Sequence, residues 1–187
     1  MKLEGIWQAD VQQRVFRELV ETYARPGDIR ELGACIDGAA TQRVVLAALM
    51  DGEMTLADPH GQIDAADWPL LQATPGGAES ARYIVANGRR APDFQPVLGS
   101  LESPEFGATV LVEIDHVGAG ALSLELSGPG VDGQRTLRLA GLHPDWLARR
   151  ADWVGGFPLG VEILLFDAKR IVALPRTTRI RISGGAL

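Results

Sequence analysis

The sequence predicts a single α/β domain over residues 1–187, in which helices flank a mixed β-sheet. Two amphipathic helical segments lie within the first 51 residues, and strand patterns fill most of the C-terminal half. Length and composition agree with this fold class. A chain of 187 residues with 46% hydrophobic and 22% charged side chains suits one globular domain with a sizeable core.

The first predicted helix spans about 10–24. Asp10 and Gln13 have the spacing of an N-terminal capping box. Apolar side chains then recur every four residues, at Val11, Val15, Leu19 and Tyr23. The segment 24–27, Ala-Arg-Pro-Gly, ends this helix, and a second helix is predicted over 39–51.

A period of two begins at Thr109 and predicts three strands, over about 109–114, 122–127 and 136–139. Because short connections join them, we expect these strands to be antiparallel neighbours. The glycine-rich segment 128–133 matches the dinucleotide-binding pattern G-x-G-x-x-G, which requires a helix to follow. A strand pattern follows instead, so the segment is interpreted as a hairpin loop.

The C-terminal part predicts one short helix and three further strands. Pro144 stands at the first position of a helix that reaches Trp153. A buried strand over 161–166 turns into a strand over 171–174, and a final strand places Ile180 and Ile182 on one face, opposite Arg179 and Arg181. The middle, about 59–107, holds little periodicity apart from a possible strand over 81–85.

No combination of residues in the sequence indicates a catalytic or metal site. His60, His116 and His143 are far apart, and Cys35 is the single cysteine, so neither a zinc nor an iron–sulfur framework is predicted. Glu102 and Glu105 have the spacing of an acid–base pair, but such pairs are common on solvated turns. Catalytic residues are therefore left unassigned.

An arginine-rich segment near the C-terminus is the best candidate for an anion site. Arg176, Thr177, Thr178 and Arg179 place two guanidinium groups and two hydroxyls within four residues, which suits phosphate oxygens. The competing interpretation is structural: Arg176 pairs with an acid of the same fold and orders the final strand. Arg25 raises the same question, because a cation at a helix C-terminus also stabilises the helix dipole.

Composition indicates a soluble protein of the cytoplasm. The net charge of −6 disfavours nucleic-acid binding, and no apolar run is long enough to cross a membrane. The N-terminus lacks the apolar segment of a signal peptide, and a lone Cys35 forms no internal disulfide. Lys2 and Lys169 are the only lysines among 18 basic residues.

Several short motifs together resemble the PhnH family of the bacterial carbon–phosphorus lyase system. They occur in a fixed order from residue 17 to residue 179. They are the helix and A-R-P-G turn over 17–27, L-A-A-L-M-D over 46–51, G-x-x-x-x-P-E-x-G-A-T over 99–109, L-S-G-P-G over 126–130, F-P-L-G-V over 157–161 and A-L-P-R-T-T over 173–178. No family feature matches 59–80.

The resemblance implies a cytoplasmic homodimer similar in fold to a degenerate large domain of the fold-type I pyridoxal-phosphate transferases. It also implies a core complex with PhnG, PhnI and PhnJ, in which an alkylphosphonate displaces adenine from ATP to give ribose 1-alkylphosphonate 5-triphosphate. Pyridoxal phosphate needs a Schiff-base lysine, and neither Lys2 nor Lys169 is well placed, so no cofactor is expected.

Three functional hypotheses follow. The chain is a non-catalytic structural subunit that supports its partners' active sites, a binding subunit whose arginines hold a triphosphate or phosphonate, or an independent enzyme on a small molecule. The first is preferred. The tryptophans are candidate interface anchors, although for any single one of them closing the core is the preferred interpretation. They are Trp7, Trp68, Trp146 and Trp153.

Overall fold

The computed structural model describes residues 5–33 and 38–183, so Lys2 and Cys35 lie outside the described residues. The helices are α1 (Ala9–Ala24), α2 (Thr41–Leu49), α3 (Trp68–Leu71) and α4 (Asp145–Val154), with short 3₁₀ turns at Gly5–Trp7 and Pro104–Phe106. The strands are β1 (Arg30–Glu31), β2 (Thr55–Ala57), β3 (Thr74–Pro75), β4 (Tyr83–Asn87), β5 (Thr109–Glu113), β6 (His116–Ser127), β7 (Arg135–Ala140), β8 (Glu162–Phe166), β9 (Arg170–Leu174) and β10 (Arg179–Ile182). Among the described helices, none combines the length and the apolar character that a bilayer crossing requires.

The larger sheet has seven strands in the order β1-β9-β8-β5-β4-β2-β3. Its centre is parallel, since β5 pairs in parallel with both β4 and β8, while the hairpin partners β8 and β9 are antiparallel. The predicted mixed sheet is therefore confirmed. Strands at the centre of such a sheet are covered on both faces, which explains the nearly continuous apolar run of β8.

A second, three-stranded antiparallel sheet in the order β10-β6-β7 was not predicted. The expectation that β5, β6 and β7 are consecutive antiparallel neighbours is right for β6 and β7 and wrong for β5. The chain leaves the larger sheet just after β5: the Ile114 N–H still donates to the Phe166 carbonyl, whereas the Asp115 N–H donates to the Ala140 carbonyl beside β7. A two-residue connection thus switches sheets instead of forming a hairpin.

Strand β6 is also longer than predicted, because it starts at His116 and not near residue 122. Its pairing with β7 shifts register between Val117 and Leu122. Gly118 and Gly120 lie in this irregular stretch with φ of 90° and 138°. Such a bulge interrupts the period of two on which the sequence prediction depended.

Two apolar cores cover the two faces of the larger sheet. Helices α1 and α2 cover one face, where Val15, Val44 and Leu111 are each at most 1% exposed. The smaller sheet and α4 cover the other face. The fold is therefore a three-layer arrangement of helices, central sheet and a mixed third layer.

The tryptophans close these cores. Trp146 and Trp153 of α4 are 2% and 1% exposed, and the ring of Phe94 lies 6.0 Å from each of theirs. Trp7 and Trp68 are partly buried against the α1–α2 core. For Trp146 and Trp153 the preferred interpretation as core residues is therefore confirmed and the interface alternative is wrong, since α4 turns both side chains inward.

The predicted start of α1 also needs correction. Gln8 is the N-cap residue and no side chain caps the helix, whereas Asp10 lies within the first turn. The Asp10 carboxylate accepts from Arg14 at 3.1 Å. An acidic residue in this turn still stabilises the helix dipole, so the residue type suits its place although the capping box does not form.

Candidate functional site

The segment 175–178 is a tight turn that carries the chain from β9 of the larger sheet to β10 of the smaller one. The Thr178 N–H donates to the Pro175 carbonyl at 2.9 Å and closes this turn. The four candidate residues 176–179 therefore lie at the junction of the two sheets. Strand β10 then pairs with β6, with Ile180 opposite Leu126.

Arg176 lies at the centre of this junction with its side chain 12% exposed. Its guanidinium pairs with Glu162 through Nε at 2.5 Å, and Nη1 donates to the carbonyls of Pro104 at 2.7 Å and Pro158 at 3.0 Å. The Arg176 backbone N–H also donates to Glu162, at 2.9 Å. Arg176 thus joins three loops and pairs with an acid of the same fold, which is the structural interpretation of the segment.

The other predicted anion ligands lie in different surroundings. Thr177 and Arg179 are exposed, whereas Thr178 is 3% exposed and its hydroxyl has no hydrogen-bond partner within 5–33 and 38–183. Arg25 is the C-cap residue of α1, where its guanidinium forms an ion pair with Glu21 of the same helix. The segment thus combines one partly buried, ion-paired arginine, two exposed side chains and one buried hydroxyl without a partner among the described residues.

Arg150 is the residue of this site that sequence reasoning missed. It projects from α4 and is 4% exposed, and its Nη2 donates to the carbonyls of Pro175 at 2.6 Å and Thr178 at 2.9 Å. Burial lowers the pKa of Arg150 to about 10, so the side chain is still a cation at neutral pH. Its helical spacing from Trp146 and Trp153 was the available signal, because the three share the inward face of α4.

A groove of about 1050 Å³ runs between α4 and β10, and the 176–179 segment closes one side of it. Its walls are mostly apolar. They include Leu122, Leu147, Val154, Phe157, Ile180 and Ile182. Polar groups come from Arg150 and the 176–179 segment, with Asp145 also on the lining. The arrangement suits a largely apolar ligand, and its polar part combines guanidinium donors with hydroxyl groups and one carboxylate.

A second polar cluster lies at the carboxyl ends of β2 and β4, where open α/β sheets often bind ligands. The His60 ring is fully buried: Nδ1 accepts from the Asn87 N–H at 2.9 Å, and Nε2 lies 3.1 Å from a carboxylate oxygen of Asp93. Both ring nitrogens are thus engaged in fixing the 58–62 loop. In the described residues, no group of three metal-ligating side chains could hold an ion.

Two glycines of the segments that carried the family resemblance lie where those segments touch. A Cβ at Gly107 would meet the Gly160 carbonyl and would lie 3.2 Å from the Arg176 guanidinium. A Cβ at Gly130, whose φ is 78°, would meet the Ala24 carbonyl. The motifs near 107, 160 and 176 therefore form one close-packed junction, and those near 24–27 and 126–130 form another.

The structure defines a class of protein: a layered α/β scaffold whose two sheets are joined by an arginine-anchored turn beside an apolar groove. Residues 5–181 match the family model described as "Bacterial phosphonate metabolism protein (PhnH)", and the chain belongs to this family. The resemblance inferred from the short motifs is thereby confirmed.

Two relatives agree with this assignment. The chain is 38% identical over 180 residues to the putative C-P lyase subunit protein HtxG of Stutzerimonas stutzeri, covering 96% of this chain and 90% of the relative. It is 29% identical over 184 residues to alpha-D-ribose 1-methylphosphonate 5-triphosphate synthase subunit PhnH of Rhizobium meliloti (strain 1021), covering 90% of this chain and 89% of the relative. Both matches extend over almost the whole chain.

Proposed function

We propose that this chain is an accessory, structural subunit of the carbon–phosphorus lyase core complex, with PhnG, PhnI and PhnJ as partners. In this role it supports the reaction in which an alkylphosphonate displaces adenine from ATP to give ribose 1-alkylphosphonate 5-triphosphate. The family match over residues 5–181 carries the proposal. The names of the two relatives, each a subunit, support it.

The geometry of the arginine segment also supports a structural role. The Arg176 guanidinium donates to Glu162 and to two loop carbonyls. These contacts hold in place the loops that lead into β5 and β8. Its charge is already balanced by a carboxylate, so little of it is available to a bound triphosphate. The arginine that looked most suited to phosphate is thus part of the framework.

Exposed apolar side chains support contact with other proteins. Leu101 is 76% exposed, Phe157 is 67% exposed and Phe106 is 61% exposed, and all three lie on loops that approach the Arg176 junction. Large apolar side chains of this kind are favoured at interfaces. We include a homodimer in the proposal, and a stable one would bury about 800 Å² per partner.

Co-expression of the chain with affinity-tagged PhnJ, PhnG and PhnI tests the proposal. We expect the chain to co-purify at a fixed stoichiometry and the complex without it to lose synthase activity. The double variant Leu101→Ser/Phe157→Ser should weaken assembly, whereas Leu70→Ser, an exposed position on α3, is the matched control. A chain that never joins the partners, beside a complex that is fully active without it, would contradict the proposal.

The proposal includes a cytoplasmic location, a fold related to the large domain of fold-type I transferases, and function without pyridoxal phosphate. Lys169 is exposed on the turn between β8 and β9, where its backbone N–H donates to Asp167 at 2.9 Å. Lys169 is thus exposed on a hairpin turn and does not line the groove between α4 and β10, which supports function without the cofactor. Purified protein should lack the absorbance of an internal aldimine, and a borohydride-stable label on Lys169 would contradict this.

A further inference from the structure

Arg150 is a buried cation that forms no ion pair with a carboxylate of the described residues. Its side chain donates to two backbone carbonyls through Nη2, while Nε is buried without a partner. By contrast, Arg176 pairs with Glu162 and Arg170 pairs with Asp167. Glu162 acts favourably on this charge from a distance but pairs with Arg176, so no carboxylate of the described residues contacts Arg150. A buried charge without a contacting partner is unfavourable.

A further donor of Arg150, Nη1, is placed differently from the buried Nε. Nη1 forms no hydrogen bond with the described residues and is not among the buried unpartnered atoms, so it keeps access to the groove that Arg150 lines. The Thr178 hydroxyl, which also lacks a partner, belongs to the residue whose carbonyl accepts from Arg150. A cation that no carboxylate of the described residues contacts thus lies in the wall of a largely apolar groove.

We propose that the groove between α4 and β10 binds an organic anion with one oxyanion head and an apolar body, the head on Arg150 and the body between Leu147, Phe157 and Ile180. The volume of about 1050 Å³ lies at the upper end of small-molecule sites. The apolar walls supply affinity for the body, and the guanidinium supplies charge-assisted hydrogen bonds to the head.

The charges of the groove select a head of low charge. Arg150 is the buried cation of the lining, Arg176 is balanced by Glu162, and Asp145 adds a negative charge. Arg179 is exposed on β10 and also borders the opposite face of the smaller sheet. A triphosphate would carry more negative charge than these groups balance, so the site differs from a nucleotide site.

Isothermal titration calorimetry on the full chain tests this inference with phenylbutyrate, with its neutral analogue phenylbutanol and with inorganic phosphate. We expect phenylbutyrate to bind one site per chain and phenylbutanol about tenfold or more weakly, since it cannot form the charged hydrogen bonds. Arg150→Met should weaken phenylbutyrate by the same factor and leave phenylbutanol within about twofold. Arg149→Met, on the same helix but bonded to Gln95, is the matched control.

A second variant keeps the test decisive if Arg150→Met does not fold. Ala151 is exposed on the groove wall, so Ala151→Phe should block phenylbutyrate while Arg150 stays intact. Equal affinity for acid and alcohol, equal loss in the Arg149 control, or no binding of phenylbutyrate would each overturn the inference. The groove would instead be assigned to a protein partner by two results together: the free chain does not bind phenylbutyrate, and the Ala151→Phe chain does not bind PhnJ.

Discussion

Replacing Arg176 with Met separates its structural role from an anion-binding role. Met keeps much of the side-chain volume but removes the charge and all the guanidinium donors. The change deletes the ion pair with Glu162 and the two hydrogen bonds to the carbonyls of Pro104 and Pro158. Glu162 keeps one partner, because the backbone N–H of residue 176 still donates to it at 2.9 Å.

The expected loss follows from the burial of this pair. Breaking a fully buried ion pair costs about 3–5 kcal/mol, since the remaining charge is left without a partner. The Arg176 side chain is 12% exposed and Glu162 is 24% exposed, so water compensates part of the loss. We therefore expect the free energy of unfolding to fall by about 2–3 kcal/mol.

Urea unfolding followed by tryptophan fluorescence, to which the buried Trp146 and Trp153 contribute, measures this loss. Arg25→Met is the matched control, since that guanidinium is 57% exposed and pairs within one helix, which is worth about 0.5 kcal/mol or less. Glu162→Gln, alone and combined with Arg176→Met, completes a double-mutant cycle and isolates the coupling. An Arg176→Met protein no less stable than the Arg25→Met protein would refute the reasoning.

Three further predictions concern the junction and the turn between β8 and β9. Gly107→Ala should lower stability by about 1–3 kcal/mol in thermal unfolding, because the added Cβ would collide with the Gly160 carbonyl. Gly156→Ala is the control and should be nearly neutral, because a Cβ there meets open space. Thr178→Val should raise stability by up to about 1 kcal/mol, because it removes a buried hydroxyl that has no partner; destabilisation would indicate an unrecognised bond. Burial acts to raise the pKa of Asp167, but hydrogen bonds from Val117, Lys169 and Arg170 outweigh it and lower that pKa. The stabilisation is therefore complete above the unfolded pKa of about 3.9 and is lost as the pH falls through the folded pKa, so Asp167→Asn should be less stable at neutral pH and less sensitive to acid.

Local patterns in the sequence were enough to place most helices and strands. Apolar residues recur every four positions along α1 because one face of the helix is covered. Strand β8 is almost continuously apolar because both of its faces are covered. The hairpin at 128–133 followed from a strand pattern after the glycines. The family also followed from short motifs, because their order along the chain is itself a strong constraint.

The pairing of β5 depended on tertiary structure. An alternating pattern and a short connection fit a hairpin, yet β5 is buried on both faces between β4 and β8. A short connection forms a hairpin only when the edge of the preceding strand is free to pair. Both edges of β5 are taken by β4 and β8, which are distant in sequence, so the chain crosses to the smaller sheet.

The sequence by itself determined the α/β class, the main elements, the family and the importance of the segment 176–179. Only the tertiary structure decided what each of its side chains does, because their partners come from remote positions. Glu162 balances Arg176, and Arg150 reaches the same turn from α4. Ion pairs and grooves form between segments that meet only after folding, so no local pattern encodes them.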